Sequence, residues 1–215
     1  MNIGIIGSGG VGQALGTGFA NLGHDVMIGT RKPDDDKLKL WIKETGANAS
    51  VASVGEAAHF GEIVVLATAW SGTENALKLA DPKNLAGKIV IDVTNPLKAT
   101  PNGPPTLALG WTDSGGEQVQ RWLPGAKVVK AFNIVGNAHM FRPQFPSGPP
   151  DMFISGNDAG AKQTVTDICK AFGWGVVDLG GIESARYIEP LAMVWILHGI
   201  RTNTWNHAFK LLRRV

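Results

Sequence analysis

Gly7, Gly9 and Gly12 stand at G-x-G-x-x-G spacing in NIGIIGSGGVGQALG, directly after an apolar run and at the opening of a helical pattern. The chemistry this spacing offers is anion binding by backbone. Gly7 permits a tight turn, Gly9 lets a diphosphate approach the main chain, and Gly12 lets helix and strand close on each other. Free N–H groups at about residues 9–12 then face the anion with the positive end of the helix dipole. Ser8, Gly10 and Val11 complete the contacts of such a loop. A dinucleotide is the expected ligand, and a plain structural turn is the alternative.

A second constellation lies in VMIGTRKPDDD. The residue that reads the adenosine ribose comes about 20 positions after the glycines, at the end of the second strand. Thr30 is eighteen residues beyond Gly12. A site for NAD would carry Asp or Glu there, and that carboxylate would repel a 2′-phosphate. Thr30 can donate a hydrogen bond instead, Arg31 can fork onto phosphate oxygens or stack over adenine, and Lys32 adds a point charge. The expected cofactor is therefore NADP(H). Asp34, Asp35 and Asp36 suit the first turn of the following helix, and no metal site is expected.

Groups for acid–base or nucleophilic work are sparse. The chain has no G-x-S-x-G elbow, no Tyr-x-x-x-Lys pair and no metal-spaced histidines. His24 and His59 precede strands, while His198 and His207 fall on the last helical pattern. His139, in a long loop, is the histidine placed to meet a substrate. Hydride transfer between two flat redox rings needs little proton chemistry from the protein. It depends on placing C4 of the nicotinamide against the acceptor atom.

The elements that must position these residues are legible as periodicity. Continuous apolar runs at 2–6, 25–29, 49–53, 62–68, 88–93, 127–131, 151–155 and 175–178 alternate with helical patterns, as in a parallel sheet covered on both faces. Helices are expected at about 10–22, 34–46, 54–59, 72–80, 114–122, 158–172 and 184–211. Ser53/Glu56, Ser71/Glu74 and Ser114/Glu117 have capping-box spacing. Residues 96–113 and 133–150 read as long irregular loops over the carboxyl edge of the sheet, either lids or plain connections. The last helix presents Ile188, Leu191, Ala192, Trp195, Ile196 and Gly199 at helical spacing, continued by Trp205, Phe209 and Leu212. A packing helix, a contact between two copies and a substrate wall near Met193 or Trp195 all fit that stripe.

The fold class expected is α/β, a Rossmann-type, doubly wound, mostly parallel sheet with a short C-terminal extension ending in a long helix. One domain is expected over 1–215, with 134–215 as the extension that completes the acceptor site. A net charge of +2 without a basic stripe argues against nucleic acid as a partner. The single cysteine, Cys169, reads as a buried apolar residue. The most apolar helix, LAMVWILHGI, falls short of the roughly 20 residues a bilayer requires. No membrane association and a cytoplasmic location are the expectations.

The segments IGSGGVGQALG, IGTRKP, ATAW, IDVTNPL, VVKAFNIVGN and MFISGNDAGAKQ resemble the family of NADP oxidoreductases dependent on coenzyme F420, a deazaflavin. The same module is similar to the reductase part of the STEAP metalloreductases. The resemblance covers nearly the whole chain. It implies an NADP site using Gly9, Thr30 and Arg31 beside a flavin-like ring. It also implies cofactor contacts from Ala69 and Trp70, and from Asn95 and Pro96, with Ala131, Phe132 and Asn133 near the nicotinamide. Trp70 as a packing aromatic is the competing reading. His139 and Asn133 are the catalytic candidates.

The function expected is hydride transfer between NADPH and a small-molecule redox acceptor, coenzyme F420 or a flavin. One alternative is reduction of a small carbonyl or imine. The other is a non-catalytic NADP(H) sensor. A homodimer through the C-terminal helix is a further expectation.

Overall fold

All eight apolar runs become strands of one sheet in the structure, a computed structural model describing residues 1–214. They are β1 (Asn2–Ile6), β2 (Asp25–Thr30), β3 (Ala49–Ser53), β4 (Ile63–Leu66), β5 (Ile89–Asp92), and, after a hairpin, β8 (Lys127–Lys130), β9 (Asp151–Gly156) and β10 (Gly175–Asp178). The order is β10-β9-β8-β5-β4-β1-β2-β3. Every pair is parallel except β8 with β9.

Ile3, Ile5, Val65, Ile91 and Val129 pack into one face's core, while Ile6, Val64, Leu66, Val90 and Val128 pack into the other. Burial on both faces explains why these strands read as unbroken apolar runs rather than alternating ones. The covering helices are α1 (Gly10–Asn21), α2 (Asp36–Thr45), α3 (Val54–Phe60), α4 (Trp70–Ala80), α5 (Gly115–Trp122), α6 (Ala159–Ala171) and α7 (Ala185–Thr202). β1 pairs with both β2 and β4, so the strand order reverses there. The connections leaving β1 and β4 diverge, which opens a crevice at the carboxyl edge.

Three expectations are corrected. Residues 96–113 are not an irregular loop: β6 (Leu97–Thr100) and β7 (Gly103–Leu107) form an antiparallel hairpin closed by Ala108 N–H donating to the Pro96 carbonyl at 2.6 Å. The Ser71/Glu74 box does not form. α4 begins at Trp70 with Ala69 as its cap residue, and Glu74 pairs with Lys78 one turn on.

The last helix stops at Thr202 instead of 211, because Asn203 takes the left-handed conformation (φ 50°) that ends helices. The tail then folds back, with Trp205 lying over Gly199, where any side chain would strike its ring. Trp205, Phe209 and Leu212 therefore continue no helical stripe. Of the other two boxes, Ser53/Glu56 is complete. Ser114 caps the Glu117 N–H, but the Glu117 carboxylate accepts from the Ser114 hydroxyl and from Arg186, while the Ser114 N–H donates to Asp113 instead.

Candidate active site

The loop Gly7–Gly9 and the turn Ala67–Ala69 form the two lips of the crevice. Gly7 has φ +125°, and a Cβ there would collide with the Ala67 carbonyl. Gly12 meets the Gly7 carbonyl just as closely, so it serves the contact of helix and strand. Gly9 differs from both: a Cβ built on it meets nothing within 4 Å, and the residue borders open cleft on both sides. No side chain caps α1, and its first turn carries no acid. Its leading N–H groups are thus free for an anion. Gln13 Nε2 donates to the Ser8 carbonyl at 2.8 Å and holds the loop in shape.

One arm of the cleft, about 330 Å3, runs from this loop past Gly29, Thr30, Arg31, Val54 and the α4 face of Asn75, Ala76 and Leu79. The Thr30 hydroxyl accepts from Ser8 Oγ at 3.1 Å and from the Lys32 N–H at 3.3 Å, which leaves its own proton for an outside acceptor. Arg31 and Lys32 are exposed, and no acceptor among the described residues holds either side-chain cation. The acids that follow are occupied locally: Asp35 caps α2 and Asp36 pairs with Lys39. No group of three or more metal-ligating side chains occurs among the described residues.

The other arm, about 360 Å3, is lined by Gly9, Gly10, Val11, Ala69, Trp70, Val93, Thr94, Asn95 and Leu97. Trp70 borders this arm and packs as an aromatic, stacking on Trp122 with ring centres 5.6 Å apart. Asn95 Nδ2 donates to the Asn133 carbonyl at 2.8 Å, and Asn133 Nδ2 donates back to Asn95 Oδ1 at 3.0 Å. Asn133 Oδ1 is buried without a donor among the described residues. Phe132 adopts a left-handed conformation, φ 58°, although its ring is fully buried. A bulky residue in that region stores about 1–3 kcal/mol of strain, the kind of feature found where a site fixes its backbone.

The structure thus gathers Gly7, Ser8, Gly9, Thr30, Arg31 and Ala69 along one arm, and Gly9, Gly10, Val11, Ala69, Trp70 and Asn95 along the other. Lys32 stands just outside. Pro96, Ala131 and Phe132 are buried behind the wall, and Asn133 reaches it through Asn95. His139 is not brought to the cleft. It lies in a one-turn helix at Asn137–His139, bonded to Asn206 at 3.1 Å and packed on Phe145.

Cleft residues that sequence reasoning passed over include Thr68, Thr94, Asn75 and Leu97. Thr68 is bonded to Thr73 at 2.9 Å. Their signal was position, since Thr68 and Thr94 follow strands already assigned to the cleft edge. Cys169 is buried as expected, and burial pushes its thiol pKa up. No helix among the described residues is long and apolar enough to cross a membrane.

Comparison with known proteins agrees with this geometry. The family described as NADP oxidoreductase, coenzyme F420-dependent, matches residues 2–96. The crystal structure of a candidate F420-dependent NADP reductase from Arthrobacter sp. FB24 superposes with a TM-score of 0.93 at 40% identity, covering 99% of this chain and 100% of that one. The F420-dependent NADP reductase of Methanothermobacter thermautotrophicus is 25% identical over 98% of this chain and 94% of its own length. Metalloreductase STEAP3 of Rattus norvegicus is 30% identical over 89% of this chain, which spans only 36% of that protein. The chain belongs to the family of coenzyme F420-dependent NADP oxidoreductases, and it is an NADP-dependent oxidoreductase.

Proposed function

We propose that the protein transfers hydride between NADPH and a flat, flavin-like redox ring, with coenzyme F420 as the acceptor that best fits its family. One observation carries the reading: a single cleft joins a cation-rich arm to an arm walled by small, apolar and amide side chains. NADPH supplies the hydride at C4 of its nicotinamide. Gly7, Ser8, Gly9, Gly10, Val11 and Gly12 would hold the diphosphate, and Thr30, Arg31 and Lys32 the 2′-phosphate. Ala69, Trp70, Asn95 and Pro96 would flank the nicotinamide half, with Ala131, Phe132 and Asn133 forming the floor behind it.

Reduction of a carbonyl or imine would call for a proton donor beside the nicotinamide. Transfer between rings calls for placement, and the reciprocal Asn95–Asn133 pair supplies placement. Family membership favours a catalyst over the sensor reading. The exposed row Tyr187, Val194 and Leu197 on α7 is the surface we assign to a homodimer. Light scattering at the mass of one chain would remove that assignment.

The functional test is NADPH oxidation by the pure protein under anaerobic conditions, with coenzyme F420, FMN, FAD and a quinone offered in turn. Turnover confined to the deazaflavin supports the reading. Turnover with a small imine or ketone, and with none of the four rings, would replace it.

A further inference from the structure

Beneath the nicotinamide arm lies a buried ionic cluster. Lys130, at the end of β8, and Asp92, opposite it in register at the end of β5, are both fully buried. Lys130 Nζ donates to Asp92 Oδ2 at 2.9 Å, to the Thr94 carbonyl at 2.5 Å and to Glu189 Oε1 of α7 at 2.8 Å. Burial alone would lower the lysine pKa, but the two carboxylates outweigh it and hold the ammonium charged. One cation thus faces two carboxylates, and the excess negative charge is met by α5. Its first N–H groups, at Gly115 and Gly116, both donate to Glu189 at 2.9 Å.

Taking three charges out of water is costly, and apolar side chains would fill the same volume more cheaply. What the cluster achieves is alignment. Asp92 Oδ1 accepts from both the N–H and the hydroxyl of Thr94, at 2.9 and 2.7 Å, while Lys130 holds the Thr94 carbonyl. Every polar group of Thr94 is therefore bound to the cluster. The next residue, Asn95, borders the cleft. From the other strand, Lys130 is followed within three residues by the left-handed Phe132 and by Asn133, the partner of Asn95. Asn133 Nδ2 also lies 3.4 Å from the Ile188 carbonyl, adjacent to Glu189.

We propose that Lys130, Asp92 and Glu189 are positioning residues. Their cluster locks the ends of β5 and β8 to α5 and α7, and so sets the Asn95–Asn133 wall against which the nicotinamide half is aligned. This rests on the NADP(H) reading of the cleft. Among the described residues, the cluster's hydrogen bonds and ion pairs reach no residue lining the adenosine arm, so the two halves of the cofactor separate cause from effect.

Lys130→Met leaves two buried carboxylates unpaired and risks the fold, so the test uses Glu189→Gln and Asp92→Asn. Titrations with 2′,5′-ADP report the adenosine arm, and the emission of bound NADPH reports the nicotinamide environment. Single-turnover oxidation of bound NADPH by coenzyme F420 reports alignment. In both variants, 2′,5′-ADP affinity should stay within about twofold, the nicotinamide emission should change, and the transfer rate should fall on the order of 10- to 100-fold.

Unchanged emission and rate would overturn the proposal, as would a parallel loss of affinity for both ligands. If the unaltered protein binds neither 2′,5′-ADP nor NADPH, the cofactor reading itself fails and takes the cluster's role with it. If it binds both but does not reduce F420, only the acceptor is wrong, and the emission change still decides the role of the cluster.

Discussion

Ser8 Oγ donates to Thr30 Oγ1 across 3.1 Å, tying the glycine loop directly to the end of the second strand. The bond joins the loop that would cradle the diphosphate to the residues that would read the ribose. Arg31 and Lys32, which follow Thr30, are exposed and have no protein acceptor for their side chains among the described residues. Cofactor choice follows from that pairing.

Arg31→Ala removes a guanidinium whose bonds to a phosphate are charge-assisted, worth about 1.5–3 kcal/mol. NADPH affinity should fall on the order of 10- to 100-fold. NADH affinity should move less than about twofold, because NADH has no 2′-phosphate. Isothermal titration with both cofactors checks this, and equal losses would contradict it.

Gly9 and Gly7 should respond oppositely to alanine. At Gly9 the methyl group enters open cleft, so the melting temperature of the free protein should hold while NADPH affinity drops at least about tenfold. At Gly7 the positive φ and the Ala67 carbonyl resist any Cβ, so Gly7→Ala should destabilise the fold by about 1–3 kcal/mol. Thermal melts of the two variants without cofactor, beside NADPH titrations, separate the roles.

The Glu117 carboxylate makes the fold sensitive to acid. Burial would raise its pKa, but hydrogen bonds from Arg186 and Ser114 outweigh it and hold the group below its ordinary 4.5. A carboxylate with a depressed folded pKa stabilises above its unfolded pKa, and that contribution is lost as pH falls through the folded value. The melting temperature should therefore decline below about pH 4.5. Glu117→Gln should flatten part of that decline, with Asp113 in its pair with Arg121, and Asp36, Glu56 and Asp158, whose pKa values are also lowered, contributing to the rest. Superimposable melting profiles for the two proteins would contradict the assignment.

Much of this architecture was legible because one physical rule governs it. Strands buried on both faces must be apolar throughout, and the glycines of IIGSGGVG mark the turn from the first strand into the first helix. Features set by distant partners were not legible. Glu189 reads as a charge on an amphipathic helix until α5 and β8 are seen to meet it. The polar ends of β5 and β8, Asp92 and Lys130, were a visible anomaly, since charges rarely close fully buried strands without pairing.

Other misses were local. The hairpin of β6 and β7 carries Pro101-Asn102 as its turn but lacks alternating apolar residues, so it read as loop. Asn203 could have been recognised as a helix stop. The Ser71/Glu74 spacing misled because α4 starts two residues too early for Ser71 to cap it.

The hydride itself can be followed from cofactor to acceptor. NADPH carrying deuterium at C4, on either face in separate experiments, is mixed with coenzyme F420 and the protein in ordinary water. The reduced deazaflavin is then weighed by mass spectrometry. Deuterium should enter the product from one labelled face and not from the other, because a fixed nicotinamide wall would present a single face to the acceptor. Reduced F420 carrying solvent hydrogen from both labelled cofactors would contradict it.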